Sequence, residues 1–222
     1  MTELVLDQTP FSKSLRGSTR DAHERAEQSR YMKALLGGEL TLAGYTQLAI
    51  QYYFIYGAIE QVSDAMASDP VGRDFVFDEL RRLPKLAEDL AFLVGPGWRS
   101  EIRPLPATED YARRIVQTSQ EWAGGYVAHH YTRYLGDIAG GQVIRRLLTR
   151  QYRLDGPGVF FYQFDGIGSA PAFRARYRDL LDAAPWDEAE RGRVADEAVA
   201  AFECNIAVFD ELAETMGRYR AA

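Results

Sequence analysis

Three histidines stand in the chain, at positions 23, 129 and 130, and they mark where imidazole chemistry is available. Around the first, the sequence SLRGSTRDAHERAEQ sets Arg16, Arg20, His23 and Glu27 at intervals of four, three and four, which puts all four on one helical face. Two cations, an imidazole and a carboxylate in one line admit two readings. One is a solvated face laced by i,i+4 pairs. The other is a metal site: a neutral imidazole as ligand, its second ring nitrogen oriented by Glu27 or a water, and the arginines holding an anionic ligand.

A second stretch, HHYTRYLGDIAGGQVIRR at 129–146, poses a different problem. Tyr131, Tyr134, Leu135, Ile138 and Gln142 repeat at helical spacing, and Val143, Ile144, Leu147 and Leu148 extend the pattern toward Arg150. Gly136, Gly140 and Gly141 interrupt it. Each glycine in a helix interior costs about 1 kcal/mol relative to alanine, so the segment gives up roughly 3 kcal/mol of local preference. Something must approach this backbone closely, either a second helix or a ligand. GDIAGG has Ile138 where a dinucleotide fingerprint requires glycine, and no Lys-Ser/Thr pair follows as in a phosphate loop. Gly136 and Gly140 match small-xxx-small packing, but Arg133, Asp137 and Arg145 exclude the membrane context in which that motif has force.

A di-iron carboxylate bundle needs Glu three residues before a ligating histidine, and positions 126 and 127 are Tyr and Val. His129 and His130 therefore read as packing or surface residues at the start of their helix. Cys204 in AFECNIAVF is a small hydrophobe on a core face in preference to a thiolate ligand. Asn205 lies on the apolar stripe of Val194, Ala198, Phe202, Phe209, Leu212 and Met216, where a polar side chain requires a hydrogen-bond partner or ordered water.

The elements that would position these residues are helices almost throughout. The expected fold is all-α, one domain over 1–222 with its core at about 11–217. Periodicity predicts a first helix containing 18–36 and closed by Gly37 and Gly38, and a second from the cap residue Thr41 to about Ala67. A third spans about 72–93 with a kink or break at Pro84 and ends at the GPG of 95–97. The next, 106–122, is separated by Gly124 and Gly125 from the glycine-bearing helix. A glycine- and aromatic-rich loop follows, with strand-like alternation only at 159–164, before helices at 172–183 and 187–216. The apolar run LAGYTQLAIQYYFIYGAIEQV from Leu42 carries Gln47, Gln51 and Glu60, so it reads as a buried core helix, not a membrane span.

Composition agrees. At 222 residues, 46% hydrophobic and 26% charged, the chain is long enough to bury a sizeable core. A net charge of −6 disfavours a general nucleic-acid or anionic-membrane binder. The single cysteine rules out an internal disulfide and a cysteine-based zinc site. The start MTELVLDQTPF lacks the basic and apolar regions of a signal peptide, so the expected location is cytoplasmic.

TRDAHERAE together with YTRYLGDIAGGQ, FYQFDGI and AFECNIAVFDEL resembles the heme oxygenases of the bacterial heme-degrading type shared with animal enzymes, in order and spacing from about Leu15 to Met216. The resemblance implies an all-helical fold that holds heme between a proximal helix, with His23 as the iron ligand, and a kinked distal helix carrying LGDIAGGQ. It implies that Gly136 and Gly140 lie nearest the bound dioxygen, with Gly141 beside them, and that Glu27 partners the proximal histidine. Arg16, Arg20, Arg174 and Arg178 fall at or near positions whose cations face the heme propionates. Tyr131 and Arg133 lie in the distal region, where Asn205 joins Asp137 and Arg133 in a polar, water-filled network and Asp137 orders the water that delivers a proton. Two positions depart from the pattern: Ala139 stands where relatives commonly have serine, and arginines replace some propionate-facing lysines, which adds bidentate carboxylate geometry.

The activity so implied is oxidative cleavage of heme, both substrate and cofactor, to biliverdin (expected to be the α isomer), carbon monoxide and ferrous iron. Dioxygen is the co-substrate, and electrons come from a ferredoxin or a flavin reductase. The expected oligomeric state is a monomer. Arg145, Arg146, Arg150 and Arg153 form either a docking face for an acidic donor or a solvated helix face. A heme carrier or sensor, and a relative of the same scaffold acting on thiamine-type or quinone-precursor substrates, are the competing classes.

Overall fold

A computed structural model of the chain describes residues 9–221; residues 1–8, which open the segment read above for a leader, lie outside them. Eleven α-helices follow in order among the described residues: α1 Phe11–Ser18, α2 Arg20–Glu27, α3 Arg30–Leu36, α4 Leu42–Met66, α5 Leu83–Leu93, α6 Trp98–Glu101, α7 Pro106–Glu121, α8 Ala123–His130, α9 Gly136–Tyr152, α10 Ala170–Ala183 and α11 Glu188–Thr215. No strand forms among them; one isolated bridge joins Leu40 to Arg220. The architecture is the expected all-α single domain.

Its centre is α4, most of whose residues between Gly44 and Met66 are buried, packed on α5 and α7, while α11 crosses α2, α7 and α8. No helix among the described residues is long and apolar enough to cross a membrane. One hydrophobic core runs from Phe11 to Met216 and gathers large aromatics such as Tyr56, Tyr126, Phe161 and Tyr177.

Several boundaries differ from the periodicity reading, each for a local reason. The segment 18–36 is three helices, not one. Thr19 turns its hydroxyl back to the Leu15 carbonyl (2.9 Å), a bond that bends a helix, and Ser29 caps α3 by accepting from Met32 N (3.4 Å). Residues 72–80 form two short 3₁₀ turns, and Pro84 opens α5 in its first turn, where a missing N–H costs nothing. The N-terminus of α5 is capped from afar: the buried Glu60 carboxylate accepts from Arg82 N and from Leu83 N (3.0 Å).

Gly124 and Gly125 do not separate two helices. The chain turns at Trp122 (φ −163°, ψ 118°), and both glycines sit inside α8, where a Cβ on Gly125 would lie 2.3 Å from Thr118 Cγ2. Residues 159–164 contain a 3₁₀ turn at Phe160–Tyr162 in place of a strand. The last helix begins as read, with the Asp187 carboxylate accepting from Glu190 N (2.8 Å).

Candidate functional site

The proximal line of charge survives the break at Thr19. Thr19 N donates to the Leu15 carbonyl (3.1 Å) and His23 N to the Thr19 carbonyl (2.9 Å), so the helical path from α1 into α2 is continuous and Arg16 stays in register with Arg20, His23 and Glu27. Ala22 and Ala26 bury an adjoining side, and α2 is fastened to α11 by an ion pair between Arg25 and Glu203. The His23 side chain is 47% exposed; its Nδ1 lies 3.7 Å from Glu27 Oε2, and its ring meets Phe202 edge-on at 5.6 Å. One ring nitrogen is thus directed to a carboxylate, which leaves Nε2 for a ligand.

The second line belongs to a helix that runs from Ala123 to Tyr152 with a single π turn at Tyr131–Leu135. Thr132 Oγ1 donates to the Ala128 carbonyl (2.9 Å), and the widened turn is the kind of local irregularity that re-aims side chains at functional sites. Arg133 is buried. Its Nη1 donates to Asn205 Oδ1 (2.7 Å), which supplies the partner that Asn205 required, and its guanidinium lies over the rings of Tyr52 (4.6 Å) and Tyr56 (5.1 Å). Arg133 Nε and Nη2 and Asp137 Oδ2 are buried without a partner among the described residues. Burial pushes the Asp137 carboxyl well above the usual carboxylate range.

The glycines divide by face. At Gly136 and Gly140, both exposed, a Cβ would meet nothing within 4 Å. Gly141 points elsewhere: it is buried, a Cβ there would stand 3.0 Å from Tyr162 Cδ1, and the neighbouring Gln142 Nε2 donates to the Tyr162 carbonyl (2.8 Å). Gly141 therefore lets the helix sit on its support, whereas Gly136 and Gly140 keep its outer backbone bare.

Tyr131 links the two lines. Burial raises its phenol, while the Thr19 hydroxyl and the charges of Arg16 and Arg178 act against the rise. The end of α1, the start of the π turn and α10 therefore converge, with Arg174 half-buried one turn before Arg178. Among the described residues none of Arg16, Arg20, Arg174 and Arg178 forms an ion pair.

His129 and His130 are packing residues, as the sequence suggests, though both are buried and stand inside the long helix, not at its start. His129 Nε2 lies 3.0 Å from Glu197 Oε1, and Arg114 grips the same carboxylate at 2.8 and 2.6 Å. Burial alone would raise Glu197, but the bonds from His129 and Arg114 outweigh it and hold the carboxyl at about 2. His130 Nδ1 bonds the Tyr177 hydroxyl (2.9 Å), and burial lowers its imidazole to about 3. Both rings are closed off from solvent. Cys204 is free and half-buried.

Sequence reasoning missed Glu197, Tyr52, Tyr56 and Tyr162. Glu197 precedes Ala198 of the apolar stripe, and Tyr52 and Tyr56 repeat at four along an apolar run; those positions were the available signal. A groove of about 690 Å³ bounded by Tyr53, Phe54, Leu83, Ala112 and Val116 includes none of the residues above.

A half-exposed imidazole facing a carboxylate, unpaired arginines and a bare helix backbone beside a buried, unpartnered acid are the groups that a flat, anionic, metal-bearing ligand calls for. Comparison with known proteins agrees. The heme oxygenase family model matches residues 9–211. Heme oxygenase 1 of Nostoc sp. is 37% identical over 203 residues, 91% of this chain and 85% of that protein. The heme oxygenase of Takifugu rubripes is 39% identical over 204 residues, 91% of this chain and 74% of that protein.

Among solved structures, heme oxygenase-1 of the cyanobacterium Synechocystis, in complex with heme, superposes with a TM-score of 0.91 at 33% identity, covering 95% of each chain. A TenA homologue from P. horikoshii, with a TM-score of 0.64 at 13% identity over 92% of this chain and 98% of that one, shares the fold alone. The chain belongs to the heme oxygenase family.

Proposed function

We propose that the chain opens heme to biliverdin, the α isomer, with release of carbon monoxide and ferrous iron, using dioxygen and electrons from a ferredoxin or flavin reductase. The residues present fit the group. Iron calls for a neutral imidazole, and His23 offers Nε2 while Glu27 faces Nδ1. Propionates call for cations, and Arg16, Arg20, Arg174 and Arg178 stand unpaired. A porphyrin face calls for a flat wall, and Gly136 and Gly140 provide backbone from which no side chain projects.

Bound heme supplies an iron that accepts electrons and dioxygen, and a macrocycle that is itself oxidised. The chain's part is to hold, aim and protonate. His23 would hold the ring from one side and the bare backbone at Gly136 and Gly140 would bound the other. Asp137, whose carboxyl burial shifts toward its protonated form, has no competing partner on Oδ2, so ordered water beside it would have a group through which to pass a proton. Arg133, bonded to Asn205 and stacked on Tyr52 and Tyr56, keeps two further donor nitrogens, Nε and Nη2, for the same water. We assign the protein to the cytoplasm as a monomer.

The observation that carries this reading is the pairing of open space at Gly136 and Gly140 with the orphaned Asp137 between them. A heme carrier needs neither. The test is a visible absorption titration of the purified chain with hemin, then addition of reductant in air with catalase present. One-to-one binding followed by loss of the Soret band and appearance of biliverdin is expected, and His23→Ala should lose the axial imidazole signature. Tight binding with a persistent heme spectrum under reductant would instead show a carrier.

A further inference from the structure

Behind the distal helix lies a loop held in place by two buried charges that touch none of the residues assigned above. Asp89 on α5 is fully buried, and its carboxylate accepts three backbone N–H groups of that loop: Gly158 (2.6 Å) and Phe160 (2.9 Å) on Oδ1, and Phe161 (2.8 Å) on Oδ2. Arg82, at 4% exposure, approaches from the other end. Its Nη1 donates to the carbonyls of Phe161 (3.1 Å) and Gln163 (2.5 Å), and its guanidinium lies 4.1 Å from the centre of the Phe164 ring. Tyr45 adds a bond from its hydroxyl to the Gly158 carbonyl (2.8 Å). Buried charges are costly unless fully bonded, so this much coordination spent on a connecting loop points to a requirement for its exact position.

What the loop positions is the distal helix. Tyr162, between the anchored residues, is the surface on which Gly141 rests and the carbonyl that Gln142 grips. We infer that Asp89 and Arg82 are positioning residues for ring opening: through residues 158–163 they set how far the Gly136–Gly140 backbone stands from the porphyrin face, and so which edge of the macrocycle is oxidised. The inference rests on the heme-cleaving reading of the site. Asp89 and Arg82 act on the reaction only through Tyr162, Gly141 and Gln142.

Two variants approach the same contact from opposite sides. Asp89→Asn keeps the volume but removes the charge and one acceptor from the loop, while Gly141→Ala leaves the Asp89 bonds intact and pushes a methyl group against Tyr162. Hydrogen exchange of the heme-free full chain is read first. In Asp89→Asn, amides at 136–142 should exchange about tenfold faster, the loss of one charge-assisted bond, with those of α2 and α11 unchanged.

Product chromatography is read second. The wild type should give one dominant biliverdin isomer and both variants a mixture, a redistribution that a global loss of stability does not produce; Asp89→Glu should restore part of the wild-type ratio. Unchanged exchange in Asp89→Asn and a single unchanged isomer in both variants would overturn the inference. Should Asp89→Asn not fold, Gly141→Ala decides by its isomer ratio alone. A wild-type protein that makes no biliverdin would refute the reading of the site, and the exchange result would still report whether Asp89 holds the distal helix.

Discussion

The long helix from Ala123 to Tyr152 is two different structures on either side of its π turn. In α8, residues from Gly124 to His130 are all buried, and a Cβ on Gly124 would lie 2.6 Å from Trp122 Cε2. In α9, Gly136 and Gly140 are exposed and a Cβ on either would touch nothing. The same residue type therefore does opposite work: in α8 glycine permits close contact with Trp122 and with Thr118 of α7, and in α9 Gly136 and Gly140 leave the outer backbone without a side chain. The histidines differ in the same way across the molecule, with His129 and His130 sealed and lowered by burial and His23 half open to solvent.

The largest effect that would sharpen this contrast is acid sensitivity of the α8 half. The folded protein holds His130 at about 3, against 6.5 in the unfolded chain, and burial lowers His129 in the same direction. The unfolded chain therefore takes up protons first. Their contribution to stability is fully present above about pH 6.5 and is lost progressively as pH falls from there toward 3. Urea melts across that window should show stability dropping with pH, and His130→Gln should flatten the slope. Equal slopes in the two proteins would refute the burial argument for His130.

A smaller effect separates the glycines. Gly125→Ala forces a methyl group against Thr118 and Trp122, and overpacking of that kind exceeds the gain in helix propensity, for a net loss of about 2 kcal/mol and a fall in Tm of roughly 4–8 °C. Thermal melts of the heme-free protein check it. A variant as stable as the wild type would show that the α8 glycines are not packing residues.

How far this was legible in the sequence depends on the range of the interactions involved. Helix α11 could be read because its apolar stripe from Val194 to Met216 is a local repeat, and the proximal line of Arg16, Arg20, His23 and Glu27 because it is a single local pattern. The three distal glycines stood out as a local cost, but which of them face outward depended on Tyr162, whose ring arrives from the following loop. The break at Trp122 was misplaced because glycine signals both turns and close packing. The cap of α5 and the partner of His129 were not readable at all. Glu60 and Glu197 come from distant segments, and neither contact leaves a periodic trace.

The most direct test of the central claim, that the outer face of α9 is kept bare for the reacting heme, is Gly140→Leu measured twice. Because a Cβ at Gly140 meets nothing within 4 Å, the heme-free variant should melt at or slightly above the wild-type temperature. With hemin and reductant in air, it should fail to form biliverdin. A variant that degrades heme at the wild-type rate would contradict the account, as would one whose heme-free form melts well below the wild type, since that would make Gly140 another packing glycine.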